Sequence, residues 1–235
     1  MAFKQFMLAD GTPVTIYKRK TSRSLRLTIG PEGEAKISIP RWTTYGIGLK
    51  FANSRLDWIR SQQRQPEGLG EGQRIGKAHR LRFVCRPGAS KVTSRVSNPD
   101  ISVIFPDNQS VDAPAVQAAA RKAAIRALRS EAETLLPQRL AALATRHGFT
   151  YNKVSVKQMK SRWGSCDSHR NIVLNLFLIQ LPWEQIDYVL LHELTHTEVM
   201  RHGPDFWRAM EKVLPDVKSL RKAVKDARPL VYGVT

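Results

Sequence analysis

Two histidines four residues apart constrain this chain more than any other feature of its sequence. They lie in the segment His192-Glu193-Leu194-Thr195-His196. Four residues are about one turn of an α-helix, so a helix carries both imidazoles on one face, where they can bind one metal ion. The apolar run Val189-Leu190-Leu191 comes just before the pair and is typical of a helix with a buried face. The segment therefore predicts a helix that begins near Pro182 and carries two metal ligands.

The H-E-x-x-H pattern is rare by chance. Six histidines and ten glutamates among 235 residues give about 0.006 expected matches. Imidazole nitrogens suit zinc, and catalytic zinc sites combine three protein ligands with one open position. Glu193 follows the first histidine and can reach a metal-bound water to accept its proton. We expect one catalytic Zn²⁺, with His192 and His196 as ligands and Glu193 as the general base.

A third ligand is required, and His202 is the favoured candidate. On a continuous helix His196 and His202 would point about 120° apart, so the helix must end or turn between them. Gly203-Pro204 follows directly. Glycine permits a left-handed turn, and proline suits the first turn of a following helix, expected over Asp205–Leu214.

Two glutamates compete with His202 for the third position. Glu211 would give a site of two histidines and one glutamate. Glu198 ranks lower, because it lies two residues beyond His196 and faces away. A purely structural zinc site is disfavoured, since structural sites are usually closed by four ligands and rich in cysteine.

The first 112 residues are predicted to form a β-rich lobe. Leu25–Ile29 and Ala35–Ile39 alternate apolar with polar residues and flank Gly30–Gly33, which predicts a hairpin. The segment Thr43–Ser61 has a helical pattern.

The composition changes after residue 112, and residues 113–235 are predicted to form a second domain. Pro114 opens a run rich in Ala, Leu and Arg that continues to His147, with Gly148 as a natural stop. This run predicts a long helix that Pro137 should kink or interrupt. Val154–Val156 and Ile172–Leu176 are predicted strands.

The chain is strongly basic, with 38 Lys and Arg against 20 Asp and Glu and a net charge of +18. The excess is spread along the chain: residues 1–112 carry 19 basic and 9 acidic side chains, and residues 113–235 carry 19 and 11. A field this positive attracts polyanions, above all nucleic acid. A nucleic-acid-binding module with an incidental or regulatory metal is therefore the alternative function.

Two further features bear on location. The two cysteines, Cys85 and Cys166, imply no disulfide framework and fit a reducing, cytoplasmic compartment. Apolar runs are too short to span a bilayer, so no membrane partner is expected.

Taken together, the motifs resemble the YgjP-like zinc metallopeptidases, which belong to a wider group with the SprT-like and WLM proteases. The residues that carry the resemblance are Arg162-Trp163-Gly164-Ser165-Cys166, Asn171-Ile172-Val173-Leu174-Asn175, Pro182, Asp187-Tyr188-Val189, His192-Glu193-Leu194-Thr195-His196 and His202-Gly203-Pro204-Asp205-Phe206-Trp207, with softer matches in Arg23–Pro40 and Trp58-Ile59.

The resemblance implies an α+β, zincin-like metallopeptidase domain preceded by the β-rich N-terminal lobe. It implies that His192, His196 and His202 bind zinc and that Glu193 is the base for hydrolysis of a protein or peptide substrate. It also implies that the strand near Ile172–Leu176 pairs with an extended peptide. SprT-like relatives act on proteins bound to DNA, so the resemblance implies by analogy that the substrates include nucleic-acid-associated proteins.

Overall fold

The computed structural model describes residues 2–30, 33–63, 68–227 and 229–231. The chain forms two compact units, Met1–Glu67 and Gly68–Gly233. The predicted α+β class with a β-rich N-terminal region is confirmed. The division by compactness lies at residue 67 rather than at residue 112, where the composition changes. The reason is that the strands between these two points share one apolar core with the long helix of the C-terminal unit.

The N-terminal unit is built on one four-stranded sheet. Its strand order is β1-β2-β4-β3, with β2 and β4 parallel and the two outer pairs antiparallel. The predicted hairpin is confirmed as the β3–β4 pair, although residues 31–32 of its turn lie outside the described residues. Alternate residues of β2 and β4 are buried in the core of this unit. The strands are β1 (Phe3–Met7), β2 (Pro13–Arg19), β3 (Arg26–Ile29) and β4 (Ala35–Pro40).

The sequence predicts one helix over Thr43–Ser61, but the structure contains two, α1 (Tyr45–Asn53) and α2 (Leu56–Gln63). Ser54 ends the first helix, and its hydroxyl donates to the carbonyl of Phe51 at 2.9 Å. Serine side chains compete with the helical backbone for hydrogen bonds, so a serine after an asparagine is a natural break.

The C-terminal unit begins with a second four-stranded sheet, of order β5-β6-β8-β7, that packs on a long helix. That helix, α3 (Pro114–His147), begins and ends where the sequence predicts, and Gly148 after it has a φ of +76°. Pro137 does not interrupt it. A face of small alanines lets α3 approach the sheet closely. The strands are β5 (Arg74–Ile75), β6 (His79–Cys85), β7 (Thr93–Val96) and β8 (Asp100–Phe105).

A three-stranded sheet and three shorter helices complete the unit. The sheet order is β10-β11-β9, with β11 antiparallel to β10 and parallel to β9. The predicted strand over Ile172–Leu176 ends one residue early, because Leu176 begins a short 3₁₀-helix. The elements are β9 (Lys153–Lys157), β10 (Gly164–Cys166), β11 (Asn171–Asn175), α4 (Trp183–Thr195), α5 (Pro204–Val213) and α6 (Val217–Asp226).

Within the described ranges, no helix combines the length and the apolar character needed to cross a membrane.

Candidate active site

The helix that carries the H-E-x-x-H segment ends within it. α4 stops at Thr195, and His196 is its C-terminal cap. Two threonine hydroxyl groups donate hydrogen bonds to backbone carbonyls at this end of the helix. Thr195 Oγ1 donates to Leu191 O at 2.8 Å, and Thr197 Oγ1 donates to Leu194 O at 2.7 Å. The predicted break between His196 and the next histidine is thus confirmed, and its local cause is the pair of threonines.

The next helix starts with the predicted proline. Pro204 is the first residue of α5, a position where the backbone N–H has no partner within the helix, so proline loses no hydrogen bond there. The expected left-handed turn at Gly203 is wrong: this residue has φ −91° and ψ −173°, an extended conformation. The chain reverses before Gly203 rather than at it, and His202 returns to the end of α4.

Three imidazoles converge at this point. The Nε2 atoms of His192 and His196 are 3.2 Å apart, those of His196 and His202 3.1 Å, and those of His202 and His192 3.0 Å. Zinc bound tetrahedrally at the usual Zn–N distance would separate its nitrogen ligands by about 3.3 Å. The triangle is close to that size, so the three histidines fit one shared ion.

The electrostatics of the cluster favour neutral rings. Burial, together with the neighbouring His196 and His202, lowers the pKa of His192 to about 3. Burial also lowers the pKa of His196, whose Nδ1 lies 3.1 Å from the carbonyl of Val199. A proton on that Nδ1 is donated to Val199 O, which leaves the Nε2 lone pair directed into the triangle.

The competing glutamates do not join the cluster. Among the described residues, the group of metal-binding donors that lie within 4.8 Å of one another consists of His192, His196 and His202. Glu198 and Glu211 are both exposed and lie outside that group. Of the alternatives that the sequence left open, the geometry favours His202 as the third donor.

Glu193 is a buried carboxylate beside the triangle, with 5% of its surface exposed. No donor in the described part of the chain hydrogen-bonds it. Burial therefore raises the pKa of Glu193 to about 8, with a small opposing effect from the positive charge of Arg162. A carboxylate held in this way is available to a water or substrate molecule.

A glycine makes room for this carboxylate. A Cβ atom on Gly164, the first residue of β10, would lie 2.6 Å from Glu193 Oε1 and 2.7 Å from its Cγ. The glycine is needed for close approach rather than for an unusual backbone angle.

Asn175 holds the segment that leads into β10. It is buried, and its Nδ2 donates to the carbonyls of Met159 and Arg162 at 2.9 and 2.8 Å. Its own N–H donates to the carbonyl of Trp163 at 2.8 Å. These bonds fix the backbone next to Gly164 and so the position of the strand against Glu193.

A small pocket opens next to His192 and Glu193. Its volume is about 190 Å³. Besides those two residues and Gly164, its walls are mostly aromatic or apolar: Trp163, Tyr188, Val189 and Val224. Such a pocket suits an uncharged side chain.

The strand expected to pair with a substrate is not available for that role. β11, which contains Ile172 and Leu174, is the central strand of its sheet and is paired on both sides. The edge strand next to Glu193 is β10, which has three residues, Gly164–Cys166. The expectation that the strand near Ile172–Leu176 pairs with a peptide is therefore wrong, because both edges of β11 are already paired.

Sequence reasoning missed the supporting residues of the site. Gly164 could have been noticed, since a glycine within a strand marks close backbone approach. The carbonyl of Val199 and the side chain of Asn175 carry no local signal, because their partners are set by the tertiary fold. The expected contact with nucleic acid stays a prediction that rests on the net charge of the chain.

A family model described as YgjP-like, metallopeptidase domain, matches residues 23–227. The crystal structure of the metallopeptidase zymogen of Pyrococcus abyssi abylysin is 27% identical, with a TM-score of 0.35, over 41% of this chain and 100% of that one. The corresponding zymogen of Methanocaldococcus jannaschii jannalysin is 18% identical, with a TM-score of 0.34, over 38% and 89%. No curated protein matches.

The two solved structures are metallopeptidases, but TM-scores this low establish nothing about the chemistry of this chain. The family model carries the assignment, because it spans most of the sequence and includes every residue of the histidine cluster. The chain belongs to the YgjP-like family of metallopeptidases, which implies a divalent metal, typically zinc.

Proposed function

We propose that this protein is a zinc-dependent peptidase in which His192, His196 and His202 hold one catalytic zinc ion and Glu193 is the general base. One observation carries the proposal: three Nε2 atoms converge to within 3.2 Å of one another beside a buried carboxylate. Three protein ligands leave a coordination position open, as catalytic zinc sites do and structural ones usually do not.

The residues divide the chemistry between them. When bound, zinc lowers the pKa of a coordinated water to about 7 and polarises a carbonyl group. The Glu193 carboxylate accepts a proton from the attacking water, whose oxygen forms the new bond to the scissile carbonyl carbon. As the carbon–nitrogen bond breaks, the same carboxyl group returns the proton to the leaving amine.

The substrate is an extended protein segment or peptide. Such a segment binds by adding a strand to the free edge of β10, using backbone hydrogen bonds. This position brings a peptide bond past Glu193, because Gly164 on that strand touches its carboxylate. The pocket beside His192 then accepts an apolar side chain next to the scissile bond.

Metal stoichiometry tests the ligand set without a known substrate. We expect about one zinc per wild-type chain in mass spectrometry of the purified protein, and a large loss of zinc in His196→Ala and His202→Ala. Hydrolysis of an unfolded protein should disappear after chelation and return when zinc is added back.

His169→Ala is the matched control, because His169 is exposed and outside the cluster. It should keep both zinc and activity. A wild-type protein that does not take up zinc, or a His202→Ala variant that keeps full occupancy at unchanged affinity, would contradict the proposal.

A further inference from the structure

Arg221 is a cation fixed near the histidine triangle. It lies on α6, and its guanidinium carbon is 4.3 Å from the centre of the Trp207 ring. That ring in turn stacks on the imidazole of His202, with 6.0 Å between centroids and 27° between planes. Stacking on an aromatic face restricts the guanidinium without using its five N–H donors.

No acidic group among the described residues forms an ion pair with Arg221. By contrast, Arg139 is paired with Asp187 and Arg208 with Asp205. The side chain of Arg221 is exposed, so its donors can be reached from solvent.

The same helix face builds the pocket wall. Val224 lies three residues after Arg221, on the same side of α6. It lines the pocket beside Glu193, and its carbonyl accepts a hydrogen bond from Trp163 Nε1 at 3.3 Å. α6 therefore brings an apolar wall and a solvent-facing cation to one side of the site.

A cation next to a cluster that fits a metal ion is unfavourable on its own, because like charges repel. A negatively polarised oxygen atom between the guanidinium and the histidine cluster offsets that repulsion. The backbone of a bound peptide supplies such an oxygen on the residue whose side chain occupies the pocket.

We infer that Arg221 binds the carbonyl or carboxylate oxygen of the substrate residue whose side chain fills the Val224 pocket. Arg221 is thus a substrate-binding residue, and this inference rests on the proposed peptidase function. The oxygen belongs either to an internal peptide group or to the free C-terminus of the substrate. The two sources share one chemistry and can be separated by blocking the terminus.

The test compares Arg221→Gln and Arg221→Lys with Lys222→Gln, a neighbouring exposed residue that loses the same charge. The substrate is a short peptide with a single leucine, prepared with a blocked and with a free C-terminus. A charge-assisted hydrogen bond predicts a fall in kcat/KM of about tenfold or more for Arg221→Gln, partial rescue by lysine, and unchanged zinc content. Lys222→Gln should stay within twofold of the wild type.

If Arg221→Gln lowers kcat/KM with both peptides, Arg221 binds an internal carbonyl of the substrate. If it lowers kcat/KM only with the free-terminus peptide, Arg221 binds the terminal carboxylate. Equal kcat/KM in Arg221→Gln and Lys222→Gln would overturn the inference. Binding of the blocked and free-terminus peptides to Glu193→Gln protein, with and without Arg221→Gln, is measured by calorimetry. Weaker binding on loss of Arg221 supports the inference even if the wild type hydrolyses nothing, so the two proposals fail separately.

Discussion

Two buried glutamates in the C-terminal unit have opposite surroundings. Glu193 and Glu131 are 5% and 7% exposed, and each lies against a glycine and near a histidine. Glu131, on α3, accepts hydrogen bonds from the backbone N–H groups of Lys77 and Ala78 at 2.5 and 3.1 Å, and its Oε1 is 2.5 Å from His79 Nδ1. No described donor hydrogen-bonds Glu193.

The difference separates a structural acid from the acid that we propose as the base. The carboxylate of Glu131 accepts hydrogen bonds from the turn between β5 and β6, and these bonds hold that turn against the middle of α3. The described residues donate no hydrogen bond to Glu193, so its lone pairs remain available to a ligand. The two carboxyl groups are similarly buried and differ in the number of donors that reach them.

The largest expected effect is a loss of peptidase turnover when Glu193, but not Glu131, is replaced by glutamine. Glu193→Gln should lower peptidase turnover by roughly 10²–10⁴-fold while zinc content and folding stay unchanged, because an amide cannot accept the proton. Glu131→Gln should leave activity per folded molecule unchanged but lower the free energy of unfolding by about 1–3 kcal/mol. Steady-state kinetics and urea denaturation measure the two effects. A Glu193→Gln protein as active as the wild type would show that the base is another group.

The glycines that lie against Glu193 and Glu131 allow a second test of how the two acids differ. Gly164→Ala puts a methyl group against the Glu193 carboxylate. A displacement of about 1 Å costs about a hundredfold in turnover, so we expect a loss of that order with little change in the unfolding midpoint.

Gly76→Ala is its counterpart, since a Cβ there would overlap the Glu131 carboxylate. Gly76 also has a φ of +63°, where alanine costs about 1–2 kcal/mol. This variant should lose stability and keep turnover. Loss of stability without loss of turnover in Gly164→Ala would mean that the strand, not the carboxylate, had moved.

The smallest effect concerns pH and Lys77, whose backbone N–H donates to Glu131. Burial lowers the pKa of Lys77 below 10.5, and its Nζ donates to the carbonyl of Leu181 at 2.5 Å. Just below pH 10.5 the unfolded chain then binds more protons than the folded one, so the free energy of unfolding rises with pH in that window. Lys77→Met should remove this rise, as denaturation at several pH values can measure, and a slope equal to that of the wild type would count against it.

The local part of the site could be predicted from the sequence. Spacing alone places His192 and His196 on one helical face, and the angle to His202 requires the helix to end between them. Pro204 and Gly148 mark helix boundaries for reasons within a few residues of the chain. These features depend on short-range backbone geometry, which a sequence pattern contains.

The non-local part could not be predicted. Whether β10 or β11 is the edge strand depends on how segments distant in sequence pair. The apolar pattern of Ile172 and Leu174 predicts a buried strand but does not identify the strands that pair with it. Arg221 lies in a helix with a basic face that has the pattern of ordinary solvated surface. Its place beside Trp207 follows from helix packing alone.

The proposed catalytic residues and one part of the pocket wall come from different helices. The proposed metal ligands and the base lie on α4 and in the segment between α4 and α5, whereas Val224 and Arg221 lie on α6. On the proposed function, substitutions in α6 change which peptides bind while the metal ligands and the base stay in place. Selectivity can then differ between members of the family at positions outside the H-E-x-x-H pattern.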